Sequence, residues 1–283
     1  MAIEKGLYLV STPIGNVNDI TVRAIKILNC SDTIVCEDTR VSKKLFSHLG
    51  LPVQKKKWLI YNDHSNSKDI TKVLNELDKD KVISLISDAG TPLISDPGYK
   101  LIKRIKQSRH NIFSLPGPCS AIASLIISGL KTDKFSFLGF LPKNKSDYIG
   151  TIRDYAKLNC SLIIYEKPKR LIFFLEVIRE NFKFFKLAIV KELSKLYEDF
   201  FFITEENIDS FLKTPKKVRG ELTIIAELSD SDKKIYSDQE IIDELKKLKP
   251  SQVSAMLSKS SSQSRDILYK RCMDLLNEKF LKK

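Results

Sequence analysis

Cysteine is scarce and scattered. The 283 residues hold five (Cys30, Cys36, Cys119, Cys160 and Cys272), odd in number, far apart and never spaced as CxxC. That excludes a disulfide framework and the paired-cysteine zinc sites. The three histidines, His48, His64 and His110, show no metal-ligand spacing, so a reduced compartment without a structural metal is expected. No apolar stretch reaches the ~18–20 residues of a membrane span, and residues 1–10 carry no long apolar run behind a basic start, so neither an anchor nor a signal peptide is expected. These absences predict a cytoplasmic protein with no membrane partner. No internal repeat occurs at solenoid spacing.

What is present fits a folded protein of two domains with cores of their own. Hydrophobic residues make up 42% and charged residues 29%, which argues against disorder. The excess is basic: 48 Lys and Arg against 35 Asp and Glu, a formal charge of +13. A surplus of that size favours a polyanionic partner, because each phosphate neutralised releases counterions. It is also clustered: residues 141–191 carry 11 basic against 5 acidic side chains, and residues 231–283 carry 12 against 8. A solvated lysine-rich surface is the simpler explanation of the total, and the clustering favours the first.

Short β-branched or aromatic runs alternate with helix-period segments. Strands are predicted at Leu7–Val10, Thr33–Cys36, Val82–Ser87 and Ile112–Leu115, with helices from about Thr21 and across Tyr99–Lys106. Pro116-Gly117-Pro118 is the strongest punctuation and sets a boundary. Beyond it, strands are predicted at Phe135–Phe140, Ser161–Tyr165, Leu187–Val190, Asp199–Ile203 and Leu222–Ala226. Helices fall near Ser120–Ser128, Asp147–Lys157, Lys169–Asn181 and Glu205–Phe211. The alternation implies βαβ units and a largely parallel sheet. After a polar link at Asp230–Lys234, the tail reads as helices only: Asp238–Leu248, a short one after Pro250, and Ser264–Phe280. In it Leu257, Ile267, Leu268 and Leu275 are expected to pack inward, leaving Lys259, Arg265, Lys270 and Arg271 for phosphates. The domains expected are therefore 1–117 and 118–229, both α/β, and a helical tail at 230–283 that is a possible RNA contact.

Chemistry concentrates where strands end. Ser87-Asp88-Ala89-Gly90-Thr91-Pro92-Leu93-Ile94-Ser95-Asp96-Pro97-Gly98 follows a strand and precedes a helix, the place where ligands bind in a parallel sheet. Its small residues allow close backbone approach, and its acids can meet hydroxyls or a cation. A plain strand-to-helix loop, with Asp88 and Asp96 as turn or capping residues, is the alternative. Ser11-Thr12-Pro13-Ile14-Gly15-Asn16 is a second such loop, neither GxGxxG nor a lysine-bearing P-loop. Glu37-Asp38-Thr39-Arg40 ends another strand and also reads as a helix start with first-turn acids. Tyr165-Glu166-Lys167-Pro168-Lys169-Arg170 and Lys191-Glu192-Leu193 complete the set, and surface ion pairs would explain either alone.

Taken together and in order, LYLVSTPIGNVNDITVRA, VCEDTR, ISLISDAGTPLISDPGY, SLPGPCSA, FLGFLP, IIYEKPKRL, KELSKLYED and RGE resemble the tetrapyrrole-methylase superfamily. Within it they resemble most the bacterial ribosomal RNA small-subunit methyltransferase I family, over roughly residues 6–228. Two segments depart from the family pattern: YESPHR stands here as Tyr165–Arg170, and HEHN as Asn62-Asp63-His64-Ser65. The resemblance implies a two-domain α/β fold with S-adenosylmethionine held in the cleft between domains, and a homodimer. It also implies 2′-O-methylation of a cytidine ribose in small-subunit ribosomal RNA, free or in the assembled subunit. By motif, Pro13, Asp88, Ala89, Thr91, Ser120, Ala121, Glu166, Leu193, Glu221 and Leu222 are implied to hold the cofactor.

Methyl transfer from a sulfonium is an in-line displacement whose main demands are alignment and exclusion of water. A ribose hydroxyl is a poor nucleophile, so a group that takes its proton helps; the candidates are Glu37, Asp38, Glu166 and Glu192. Arg40, His64 and Arg170 are candidates for contact with the RNA, the arginines at flanking phosphates. Two competing readings are a superfamily methylase of a tetrapyrrole precursor or a diphthamide intermediate, and a non-enzymatic RNA-binding protein.

Overall fold

The computed structural model describes residues 3–213, 218–229, 236–258, 261 and 263–280. The chain forms two compact units, Met1–Ile178 with Phe185–Leu228, and Arg179–Phe184 with Ser229–Lys283.

The first half alternates β1 (Gly6–Val10), α1 (Val22–Cys30), β2 (Thr33–Cys36), α2 (Thr39–His48), β3 (Lys57–Ile60), α3 (Ser67–Leu77), β4 (Val82–Leu85), α4 (Tyr99–Lys106) and β5 (Ile112–Leu115). The strands form one parallel sheet in the order β3-β2-β4-β1-β5. β2 and β4 are buried along their whole length, as expected where helices cover both faces. Successive residues serve opposite faces: Tyr8, Ile34 and Val82 pack with Leu28 of α1 and Phe46 of α2. Leu7, Val35 and Ile83 pack with Val73 of α3 and Leu101 of α4. The sequence reading omits α2, β3 and α3. α2 carries few apolar residues, whereas α3, which starts at a capping box of Asn66 and Asp69, has a full apolar stripe of Ile70, Val73, Leu74 and Leu77 and was legible in the sequence. β3 is a short edge strand with no fully buried side chain.

The second half runs α5 (Ser120–Ile127), β6 (Phe135–Phe140), α6 (Lys145–Ala156), β7 (Ser161–Glu166), α7 (Leu171–Asn181), β8 (Phe184–Lys191), β9 (Asp199–Thr204), α8 (Ile208–Lys213) and β10 (Leu222–Ser229). Its sheet has the order β6-β7-β10-β8-β9. Here the expectation of a largely parallel sheet is corrected. β6 and β7 are parallel across α6, but β7/β10 and β8/β9 are antiparallel. The physical reason for β8/β9 is length: residues 192–198 are too few for a crossover, so the chain returns as a hairpin.

In the tail, α9 (Asp238–Leu245), α10 (Pro250–Leu257) and α11 (Arg265–Phe280) share a small core of Ile241, Val253, Leu257, Leu268 and Cys272, with Leu275 against it. Ile267 is a correction: it is 54% exposed, because the inward stripe of α11 runs through Leu268, Cys272 and Leu275 at helical spacing and leaves position 267 beside it. Arg271 is engaged by Asp238 at 2.6 Å, while Arg265 and Lys270 are exposed. Asp230–Lys234 and Lys259 lie outside the described residues. Among the described residues no helix is long and apolar enough to cross a membrane, and no three His, Cys, Asp or Glu side chains are grouped as around a metal ion.

Candidate active site

The loops that leave β1, β4 and β5 at their carboxyl ends are tied to one another. Thr12 and Gly90 exchange backbone hydrogen bonds of 2.8 and 3.1 Å, and the Thr12 hydroxyl donates to the Ser87 carbonyl at 3.3 Å. The Thr91 hydroxyl donates to the Pro118 carbonyl at 2.9 Å and lies 3.1 Å from Ser11 Oγ. The loop after β4 holds two non-glycine residues in the left-handed region, Leu93 (φ 72°) and Ser95 (φ 64°). Such backbone strain persists only where surrounding contacts impose it.

A second wall comes from the ends of β7 and β8 and the turn into β10. Glu166 is 3% exposed. One of its oxygens accepts from Tyr148 Oη at 2.8 Å and the other from the Lys167 amide at 2.8 Å, with Arg170 Nε 3.6 Å away. Glu192 (φ 50°) accepts from the Glu221 amide at 2.8 Å and from Lys195 Nζ at 2.9 Å, so its carboxyl is held below its usual range. The two walls meet where Ser194 Oγ donates to the Asp19 carboxylate. Gly15 lies there too: a Cβ on it would fall 2.7 Å from the Ser194 carbonyl oxygen.

Between the walls lies a cavity of about 390 Å³, within the range of small-molecule sites. Five carboxylates line it, Glu37, Asp88 and Asp96 on the first wall and Glu166 and Glu221 on the second. Burial, then repulsion from Asp96 and Asp88, pushes the Glu37 carboxyl up to about 7. Burial raises Asp96 to about 6 despite a hydrogen bond from Ser87, with repulsion from Asp88 and Asp63 adding to it. Burial also raises Asp88. A cavity that resists negative charge in this way is suited to a cation or to hydroxyl donors.

Of the residues implied to hold the cofactor, Asp88, Ala89, Thr91, Ser120, Glu166, Leu193, Glu221 and Leu222 line this cavity. Pro13 stands next to the lining residue Ile14, and Ala121, buried, stands behind Ser120. Among the proton-acceptor candidates, Glu37 lines it with Glu166. Asp38 faces away, chelated by its neighbour Arg40 at 2.6 Å, which holds its carboxyl near 2. Glu192 sits behind the Gly220–Leu222 turn. Arg40 and His64 are exposed outside the cavity. Arg170 points back into the fold, donating to the Leu141 and Pro142 carbonyls at 3.4 and 2.9 Å and lying 4.6 Å over the Tyr148 ring.

Asp96, Tyr165, Phe140 and Lys167 also line the cavity and were not among the predicted site residues. Asp96 lies within the loop singled out by sequence, where its carboxylate reads equally as a turn residue. Tyr165 bonds Ser120 Oγ through its hydroxyl at 2.7 Å; nothing in strand periodicity separates it from a core aromatic.

The sequence of residues 6–209 matches the family of Tetrapyrrole (Corrin/Porphyrin) Methylases. The chain belongs to that family. Among curated members, it is 41% identical over 227 residues to "Ribosomal RNA small subunit methyltransferase I" of Rickettsia prowazekii (strain Madrid E), covering 80% of this chain and 79% of the relative. It is 33% identical over 276 residues to the protein of the same name from Synechocystis sp. (strain ATCC 27184 / PCC 6803 / Kazusa), covering 95% and 98%. Among solved structures, the uroporphyrin-III C-methyl transferase of Thermus thermophilus complexed with S-adenyl homocysteine superposes with a TM-score of 0.53 at 16% identity, over 78% of this chain and 96% of that one. A diphthine synthase superposes with a TM-score of 0.59 at 11% identity, over 80% and 90%. These two establish the family's α/β fold and carry no further weight.

Proposed function

We propose that this chain uses S-adenosylmethionine to methylate small-subunit ribosomal RNA, at the 2′-hydroxyl of a cytidine ribose. The observation that carries the reading is the acidic cavity lined by Glu37, Asp88 and Asp96, in a chain whose relatives at 31–41% identity are named for small-subunit ribosomal RNA methylation. The competing small-substrate readings share the fold but only 11–16% identity with their enzymes.

The lining fits the cofactor. Asp88 and Asp96 suit its ammonium and ribose hydroxyls, and the backbone at Ala89, Thr91 and Leu222 borders the void, with Gly90 and Glu221 already bonded to Thr12 and Glu192. Gly220 (φ 93°) lets the turn that forms that second edge pass close against Glu192. When bound, S-adenosylmethionine supplies an electrophilic methyl group and departs as a neutral thioether. Glu37 is the residue placed to take the proton that the attacking ribose hydroxyl loses: it lines the cavity, and its raised pKa makes it a stronger base than an ordinary carboxylate. Glu166 and Glu192, each bound by neighbouring donors, shape the walls instead. Residues 1–117 and 118–229 would supply one wall each, and the family resemblance adds a homodimer, which sedimentation would check.

The test is to map ribose methylation on small-subunit RNA from cells with and without the gene, then to add purified protein and cofactor to the undermodified subunit. A single ribose methyl that is lost and restored is the expected result. Unchanged RNA in both arms would defeat the reading.

A further inference from the structure

Phe137 and Phe140 lie three residues apart on β6, a spacing that in a regular strand puts side chains on opposite faces. Both nonetheless meet the same ring: Phe137 lies 5.1 Å from Tyr165 edge-on, and Phe140 lies 5.7 Å from it at 59°. The cause is a register shift. Phe137 pairs with Ile163 but Gly139 pairs with Ile164, so Leu138 is an extra residue and Phe140 falls opposite Tyr165. Such a bulge re-aims a side chain, and Gly139 provides the conformation for it (φ 62°). A Cβ on Gly139 would lie 3.0 Å from Ser95 Oγ, which seats the bulge against the loop after β4.

The two phenylalanines then have different fates. Phe137 packs with Ile163 and Leu125 in the core. Phe140 lines the cavity and stays 55% exposed. An aromatic ring held at a cavity mouth by another ring, and left uncovered, is a surface for stacking. Its surroundings are basic: Lys167 also lines the cavity, and Lys143 and Lys169 are exposed on the segments that follow β6 and β7. Those segments are fixed to each other by Arg170, through the Leu141 and Pro142 carbonyls.

We propose that Phe140 is the platform on which the target nucleobase stacks when an unpaired nucleotide of the RNA enters the cavity, with Lys143, Lys167 and Lys169 receiving the flanking phosphates. The proposal rests on the RNA reading given above. A nucleotide that leaves its neighbours to enter a cavity gives up base stacking, and an aromatic face replaces what the base gives up. A stacked position tolerates Tyr or Trp and not Leu, which fills similar space without a π face.

The experiment compares Phe140→Leu, Phe140→Trp and the unsubstituted protein. With undermodified small subunit as substrate, Phe140→Leu should raise KM by ~10-fold or more, Phe140→Trp should stay close to the unsubstituted protein, and all three should bind S-adenosylmethionine equally by calorimetry. Pentacytidylate added with S-adenosylhomocysteine should quench the indole fluorescence of Phe140→Trp and leave that of Trp58, the sole native tryptophan, unchanged. Equal KM values for all three proteins, or equal quenching with and without the substitution, would overturn the proposal. A Phe140→Leu variant that loses cofactor affinity would overturn it too, since the ring would then serve the cofactor. If the unsubstituted protein itself methylates no ribosomal RNA, the RNA reading falls and takes this one with it, an outcome distinct from active enzyme with indifferent variants.

Discussion

A side chain at position 220 and the carboxylate of Glu192 cannot occupy the structure together: a Cβ on Gly220 would stand 2.3 Å from the Glu192 carboxyl carbon. The clash compounds a backbone at φ 93° that L residues rarely adopt. Gly220→Ala should therefore displace the turn that forms one cavity edge, weakening S-adenosylmethionine binding by ~10-fold or more while both sheets stay folded. Calorimetry alongside circular dichroism checks this, and undiminished affinity would show that the turn does not touch the cofactor.

Glu37 and Glu192 should respond differently to pH. Glu37 is raised to about 7 and must be ionised to accept a proton, so kcat/KM should climb through about pH 7 and level above it. Glu37→Gln should remove that limb and cost ~100-fold or more. Glu192 is shifted downward and stays ionised throughout, so Glu192→Gln should leave the limb in place and act through cofactor affinity. Rates measured between pH 5.5 and 9 decide it, and a surviving limb in Glu37→Gln would remove Glu37 from the role.

The same shift has a sign for stability. The folded state holds the Glu37 proton more tightly than the unfolded state does, so a penalty enters as pH rises from 4.5 and is complete above about 7. Glu37→Gln should stabilise the cofactor-free protein by ~1 kcal/mol above pH 7, a figure reduced for partial exposure. Below pH 4 it should change nothing. Denaturant midpoints at the two pH values provide the comparison.

Tyr148 is fully buried and donates to Glu166 at 2.8 Å. Tyr148→Phe would keep the ring under Arg170 but leave a buried carboxylate oxygen without that donor, at a cost of ~1–3 kcal/mol. Urea unfolding measures it; a loss below ~0.5 kcal/mol would mean that Arg170 moves in to compensate.

Sequence patterns located nine of the ten strands among the described residues, most readily where a buried strand reads as a short β-branched run, as Thr33–Cys36 and Leu222–Ala226 do. β3 escaped because Lys57-Trp58-Leu59-Ile60 holds one β-branched residue and starts on the last of three consecutive lysines. The cavity's acids were visible as motif residues, but their roles were not. Asp38 and Glu37 are adjacent, and only the fold shows Arg40 binding the first while burial perturbs the second. Phe140 was beyond reach, since a bulge is a property of pairing between strands and leaves β6 looking regular.

The tail offers a separate check. Its helices carry their own core, and every cavity-lining residue precedes Ala226. A chain ending at Ser229 should keep its cofactor affinity and lose ~10-fold or more of subunit methylation as phosphate contacts disappear. Unfolding of that shorter chain, or full activity, would each contradict a role in RNA recognition.

The bonds joining Ser11, Thr12, Gly90, Thr91 and Pro118 make three loops from three strands into one mechanical part. Substitutions within it should not add. Thr91→Val frees the Pro118 carbonyl and takes one of two partners from the Ser11 hydroxyl, so a following Ser11→Ala breaks only the bond to the Leu115 carbonyl and costs less than it does alone. A change in any one loop is thus felt by the other two, and the pocket must drift in sequence as a block rather than residue by residue.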